Sequence, residues 1–410
     1  MLRNLLLLFV LLAVCTTSHS LLAGPKLTTG KKAAPTLASQ SFQESDLNPN
    51  TKEVLKSYDA DKLRRGSYID LGNGVVIFVR MLGTPAPDKP IIVMLPGLDD
   101  NLGDWSGLDK MLADQDYCVL TPDLPGQGYS LLRTGTNWGD LSFKAQVEVV
   151  DRLRKFVGSE KIVLAGLSYG GGIALGYAGI HPENVNKVFA FDPFIAPIEP
   201  QEDQILAMVS YYRTYVNPFI SEEEAYEIIF RMVVYTTYPL TEPKILAHVN
   251  EPEAVVQLSV KLRGANISEV MKNAPAGSVV MIRGSEDKFV TQEVVVKAWK
   301  GLAANVRRAL FTILGVGHRT TTDDPKSSFN IIHGVLDPNS SIEMGGEYVV
   351  DSTTHTITKV NRIEKRSLVD SDSKILTDKK QSSSGLAARQ KAITAKLWNG
   401  LHVLSCKALF

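Results

Sequence analysis

The chain has 410 residues, 44% hydrophobic and 21% charged, enough apolar material for one large domain with additions or for two to three smaller ones. Lys+Arg and Asp+Glu both number 44, so the formal net charge is zero, which argues against a generalised nucleic-acid binder. Three cysteines (Cys15, Cys118 and Cys406) exclude a disulfide framework and leave stability to the core.

The first twenty residues read MLRNLLLLFVLLAVCTTSHS. Arg3 gives a positive start, Leu5 to Val14 are all apolar, and Ser18 and Ser20 supply small residues before a cleavage point. This is the layout of an export signal, predicting a secreted or periplasmic protein, and the apolar run is short for a bilayer span. An uncleaved anchor is the alternative. Lipidation at Cys15 is the weaker reading, because Val14 stands where a small residue is expected. Residues 21–65, rich in Thr, Ser, Pro and Lys, read as a leader after export.

Tyr68–Leu71 and Val75–Met81 flank Gly72-Asn73-Gly74, a hairpin signal. Apolar runs then alternate with helical patterns. PIIVMLPG (90–97), YCVLTPDL (117–124), KIVLAG (161–166), NKVFAFDP (186–193), GSVVMIRG (277–284) and RALFTILG (308–315) read as strands. WSGLDKMLADQ (105–115) and LSFKAQVEVVDRLRKFVG (141–158) have helical spacing, the second placing Val147, Val150, Leu153 and Val157 on one face. Continuous apolar strands separated by helices predict an α/β fold with a mostly parallel sheet covered on both faces.

Residues 194–273 interrupt that rhythm with runs such as ILAMVSYYRTY and EEEAYEIIFRMVVY, and read as a helical cap inserted between core segments 66–193 and 274–335. Residues 336–410 form a C-terminal extension. Within it EYVVDSTTHTITKV (347–360) suits a two-stranded ribbon, and 386–410 form a basic amphipathic helix. That helix either docks on its own domain or makes peripheral contact with a membrane surface.

GLSYGGG (166–172) places Ser168 between a strand and a helix. A tight glycine-lined turn there would expose the serine hydroxyl, and the Tyr169 N–H at the helix start would be free to hold an oxyanion. A serine needs a base, and of seven histidines only His318 lies just beyond a late strand, on the glycine-lined loop of LFTILGVGHRT. The base needs a carboxylate. Asp287, after GSVVMIRG, is favoured, and Asp192, after NKVFAF, is the alternative acid. A second oxyanion donor is expected from LPGLDDN (95–101), where Gly97 lets the Leu98 N–H turn inward. The order Ser168, Asp287, His318 matches one known chain order for such a triad.

With these residues in view, the chain resembles the α/β-hydrolase superfamily. The likeness rests on LPGLDDN, TPDLPGQGYS, GLSYGGG, RGSEDKFV and GVGHR, in order over roughly residues 66–335. It implies a helical cap after Asp192 and hydrolysis through an acyl-enzyme on Ser168. Pro96 departs from the family pattern, which usually has histidine before the oxyanion glycine, and Asp99 and Asp100 follow at once. The acidic pair would repel anions, recognise an amine or cap the next helix. The expected function is a secreted serine hydrolase of carboxylic esters, with acyl-lipid or lipophilic esters suggested by the apolar cap. An aminopeptidase- or amidase-like enzyme, using Asp99, Asp100 or Glu222–Glu224 for the amine, is one alternative. A non-catalytic surface-binding protein is the other. No metal or cofactor is implied: there is no H-E-x-x-H, no Cys/His cluster and no dinucleotide fingerprint.

Overall fold

The computed structural model describes residues 40–41, 66–86, 89–105, 107–132, 139–196, 201–237 and 252–360. The export signal, Cys15, Cys406, the leader apart from 40–41, and the 386–410 helix lie outside these residues.

The chain enters the sheet through β1 (Gln40–Ser41), β2 (Ser67–Asp70) and β3 (Val76–Leu82), an antiparallel edge. The turn between β2 and β3 is where sequence and geometry agree most simply. Gly72, Asn73 and Gly74 all have positive φ (82°, 54° and 78°), and the Leu71 N–H closes the turn on the Val75 carbonyl at 2.8 Å.

Strands and helices then alternate: β4 (Ile91–Leu95), α1 (Leu108–Ala113), β5 (Cys118–Asp123), α2 (Gly128–Leu132), α3 (Phe143–Phe156), β6 (Ile162–Leu167), α4 (Tyr169–Ile180) and β7 (Val185–Phe191). Among the described residues, four α-helices follow before the sheet resumes: α5 (Gln201–Tyr215), α6 (Glu222–Thr237), α7 (Pro252–Arg263) and α8 (Ile267–Val270). Next come β8 (Val279–Gly284), α9 (Gln292–Gly301), β9 (Arg307–Leu314), α10 (Thr320–Asp323), α11 (Pro325–Leu336), β10 (Gly346–Asp351) and β11 (Ile357–Lys359).

The spatial order of the strands is β1-β2-β3-β5-β4-β6-β7-β8-β9-β10-β11, and those from β5 to β10 run parallel. The period of two in a strand sorts side chains between two cores. Ile91, Val93 and Leu95 of β4, with Ile162 and Leu164 of β6, pack on the face covered by α3, α4 and α9. Ile92 and Met94, with Val163 and Ala165, pack on the face covered by α1 and α11. Burial on both faces is why these strands read as unbroken apolar runs. In α3, Ser142 caps the first turn by accepting the Ala145 N–H at 3.2 Å, and Val147, Val150 and Leu153 are buried as their spacing predicts.

The ribbon expected beyond 335 is present but does not stand apart. β10 pairs in parallel with β9, and β11 folds back on β10. Tyr348 and Val350 alternate into the second core, where the Tyr348 ring stacks on Phe311 at 5.1 Å. The hairpin turn is tied to α11, with Asn330 Nδ2 donating to the His355 carbonyl at 3.1 Å and Ser327 Oγ 3.0 Å from His355 Nδ1.

One buried carboxyl fixes the loops at the carboxyl ends of β4 and β5. Asp123, at the end of β5, accepts the Leu102 N–H at 2.6 Å and the Tyr129 N–H at 2.8 Å. Burial raises it to about 7, against the pull of those two N–H groups. A carboxyl raised in the folded state contributes stability fully below its unfolded value of about 4, and loses it as pH rises through the folded value. Asp123→Asn leaves one N–H facing an amide NH2 and is expected to cost about 1–3 kcal/mol. Urea unfolding should show a lower midpoint at unchanged slope, and the fall in stability that Asp123 causes between about pH 4 and 7 should vanish.

Candidate active site

Ser168 joins β6 to α4 with φ 49° and ψ −108°, a conformation a non-glycine residue adopts at a cost of about 1–3 kcal/mol. Its backbone is held on both sides. The N–H donates to the Phe191 carbonyl at 2.9 Å, while the carbonyl accepts the Gly172 N–H at 3.0 Å and the Phe194 N–H at 2.8 Å. The flanking glycines are steric necessities: a Cβ on Gly166 would strike the Gly170 carbonyl, and one on Gly170 would strike the Leu95 and Pro96 carbonyls.

The two expected oxyanion donors flank this turn. Neither the Leu98 N–H nor the Tyr169 N–H has an acceptor among the described residues. Leu98 is pinned from both neighbours, since the Gly97 N–H donates to Asp104 Oδ2 at 2.8 Å and the Asp99 N–H to Gln127 Oε1 at 3.0 Å. Tyr169 opens the twelve-residue helix α4, so its N–H adds to the positive end of the helix dipole.

His318 and Asp287 meet at 2.8 Å, Nδ1 to Oδ2. The other Asp287 oxygen accepts the Phe289 N–H at 2.7 Å and the Val290 N–H at 3.0 Å. Burial works to raise this carboxyl, but the hydrogen bond and charge of His318 and the two N–H groups outweigh it and hold it below the ordinary range. The Asp287 side chain is 1% exposed and that of His318 is 20%, so the acid is sealed while the ring keeps an open side. The loops carrying them stay zipped beyond the strand ends: Ser285 N–H to Ile313 O at 2.8 Å, Glu286 N–H to Val316 O at 2.9 Å, and Gly315 N–H to Ser285 Oγ at 2.9 Å.

Asp192, the alternative acid, is wholly buried and points elsewhere. It accepts the Gly284 N–H at 2.8 Å and the Thr320 hydroxyl at 2.7 Å. Burial, reinforced by the neighbouring Asp287, raises it well above the ordinary carboxylate range. Its hydrogen bonds go to Gly284 and Thr320, while His318 pairs with Asp287, so Asp192 ties together the loops that carry those two residues.

The residues after His318 anchor its loop to two other strand ends. Thr320 reaches Asp192 at the end of β7. Arg319 reaches the loop after β4, with Nη2 3.0 Å from Asp104 Oδ1 and 3.2 Å from Asp100 Oδ2. In the strand order β4 lies on the far side of β6, so this contact spans the Ser168 turn. Burial raises both Asp100 and Asp104, and each carboxyl so close to the other limits their shared charge. Asp100 is engaged with Arg319. It is half of a buried acid pair closed by one arginine. Glu222 pairs with Arg213 and Glu224 with Ser221, both on the exposed start of α6. Among the described residues no hydrogen bond links Ser168 to His318, whereas His318 and Asp287 are joined. Contacts of this kind tighten when substrate binds.

Above Ser168 lies a cavity of about 200 Å³. Leu98, Tyr169, Phe194, Ile205, Phe230 and Leu262 make its wall mostly apolar, with Glu202, Tyr226, Ser259 and Arg263 on one side.

Comparison with known proteins follows this geometry. The family model described as alpha/beta hydrolase fold matches residues 90–320. An uncharacterized protein of Mycobacterium tuberculosis is 31% identical over 103 residues, covering 25% of this chain and 29% of that protein. The chain thus spans less than a third of the length of its mycobacterial relatives. The AB hydrolase superfamily protein YfhM of Bacillus subtilis is 22% identical over 240 residues, covering 54% of this chain and 82% of that protein. Among solved structures, Lip1 of Acinetobacter baumannii AYE has a TM-score of 0.50 at 18% identity, covering 72% of this chain and 98% of its own. That likeness shows the fold alone.

The Asp287–His318 contact predicts a downfield proton resonance from the shared Nδ1 hydrogen. Proton NMR should show it lost in Asp287→Asn and retained in Asp192→Asn. The opposite pattern would make Asp192 the partner.

Proposed function

The chain belongs to the alpha/beta hydrolase fold family, whose model spans more than half of it, and on that premise we propose that it is a serine hydrolase of carboxylic esters acting through an acyl-enzyme on Ser168. One observation carries the reading. Ser168 sits at a strained turn on the floor of an apolar cavity, between two backbone N–H groups that have no acceptor among the described residues.

In this proposal His318, steadied by ionised Asp287, takes the Ser168 proton through Nε2 as Oγ attacks the ester carbonyl. The tetrahedral oxyanion accepts the Leu98 and Tyr169 N–H groups, each worth about 10²–10³ in rate. Collapse expels the alcohol, which leaves with the proton from His318. Water then attacks the acyl-enzyme, giving its proton to His318, and the carboxylic acid departs as Ser168 regains its hydrogen.

The helices between β7 and β8 act as the cap, supplying most of the cavity wall. About 200 Å³ is less than the roughly 300–1,000 Å³ of drug-sized ligand pockets, which favours short acyl groups over long-chain lipids. Asp100, engaged with Arg319, gives no support to amine recognition. The N-terminal segment supports action outside the cytoplasm.

A fluorophosphonate probe should label the wild-type protein and not Ser168→Ala, and equal labelling of both would overturn the proposal. On short p-nitrophenyl esters, Asp287→Asn should lower kcat about 10⁴-fold, the loss expected when the base sits in the wrong tautomer. Asp192→Asn should change kcat less than about tenfold, because it touches no reacting group.

A further inference from the structure

The cavity wall is not uniformly apolar, and its polar side has a donor set with nothing to bind. Ser259 lies in the middle of α7 and lines the cavity. A serine inside a helix ordinarily turns its hydroxyl to water or to the carbonyl four residues earlier. Ser259 Oγ does neither: it is shielded from solvent and has no hydrogen-bond partner among the described residues. A buried polar group in a native structure is usually completed by a protein group, a water, an ion or a ligand, and Ser259 faces the cavity where a ligand can do so.

Arg263 stands one turn further along α7, on the same side of the helix. Its Nε donates to Glu202 Oε1 at 2.6 Å, and its guanidinium lies over the Tyr226 ring at 4.1 Å. The Tyr226 hydroxyl donates to the other Glu202 oxygen at 2.8 Å. Glu202 thus fixes the guanidinium and cancels its charge. The Nη amino groups of Arg263 keep no acceptor among the described residues. The wall therefore offers N–H and O–H donors, carries no net charge, and faces the space where the acyl chain of a Ser168 ester would lie.

We propose that Ser259 and Arg263 form a polar subsite selecting esters whose acyl chain bears a neutral oxygen acceptor, of the hydroxyacyl or oxoacyl class. A carboxylate would add a second negative charge beside Glu202, and a plain alkyl chain would leave the Ser259 hydroxyl unpaired. A site built to hydrogen-bond an oxygen penalises the analogue that lacks it. The proposal rests on Ser168 being the acylated residue.

The test compares kcat/KM for p-nitrophenyl butyrate with the 3-hydroxybutyrate, 4-hydroxybutyrate, 4-oxopentanoate and monosuccinate esters. Wild-type protein should favour at least one hydroxy or oxo ester over butyrate by about tenfold, the scale of one buried hydrogen bond. Ser259→Thr and Ser259→Val form a pair of equal shape. The preference should survive in the threonine variant and fall to about one in the valine variant. The readout is a ratio between two esters on one preparation, so overall activity and folded fraction cancel. A wild-type ratio near one, a ratio unchanged in Ser259→Val, or a preference for the succinate ester would each overturn the subsite. Failure of the underlying reading looks different: no ester would then be turned over in a way that depends on Ser168.

Discussion

Ser168 holds a backbone conformation that most residues avoid, and its surroundings permit no other. Its N–H and carbonyl are tied to β7, to α4 and to the chain after β7, while Gly166 and Gly170 press the neighbouring backbones to distances that exclude a Cβ. The strain is local and the compensation is global: β6 lies inside the parallel sheet, buried on both faces. From this constraint follow the direction of the hydroxyl, the start of α4 and the freedom of the Tyr169 N–H. Relaxing the turn would return that N–H to an ordinary helix start and withdraw the hydroxyl from the cavity.

The second requirement of the proposed mechanism is to bring a histidine from β9 across β8 and β7. Sheet geometry alone keeps these strands about 5 Å apart in sequence across the sheet, so the loops must do the rest. Arg319 and Thr320 provide the pull, one on the acid pair of the loop after β4, the other on Asp192. Buried carboxyls are costly when ionised and cheap when neutral or paired. Here burial pushes Asp192 up, Asp104 and Asp100 share an arginine, and the facing His318 holds Asp287 below the ordinary range. Three carboxyl environments thus divide the labour: two hold loops and one holds His318.

Much of this was legible before any coordinates. Strands buried on both faces leave runs such as IIVML and IVLAG that few other structures produce, and Gly72-Asn73-Gly74 announces its own turn. The expected site residues lie just beyond strands, and the parallel order puts the carboxyl ends of those strands on one edge of the sheet. What sequence could not show was contact across distance. Asp104 and Arg319 lie 215 residues apart, and neither has a neighbour that marks it as a partner. The same limit leaves the role of Asp99 and Asp100 open in the sequence, and Asp100 turns to a cation on another loop. Tyr348 and Val350 alternate like any exposed ribbon, and only the free edge of β9 tells that they extend the sheet. Ser259 is one helix serine among several, set apart only by the absence of a partner for its hydroxyl.

A crystal structure of the protein after reaction with a small alkyl phosphonate tests the proposed nucleophile most directly. The phosphorus should be bonded to Ser168 Oγ, its oxygen accepting hydrogen bonds from the Leu98 and Tyr169 N–H groups, with His318 Nε2 within reach of the serine oxygen. Phosphorus on another side chain would contradict this. So would an oxygen turned away from both N–H groups, with His318 still held away from Ser168.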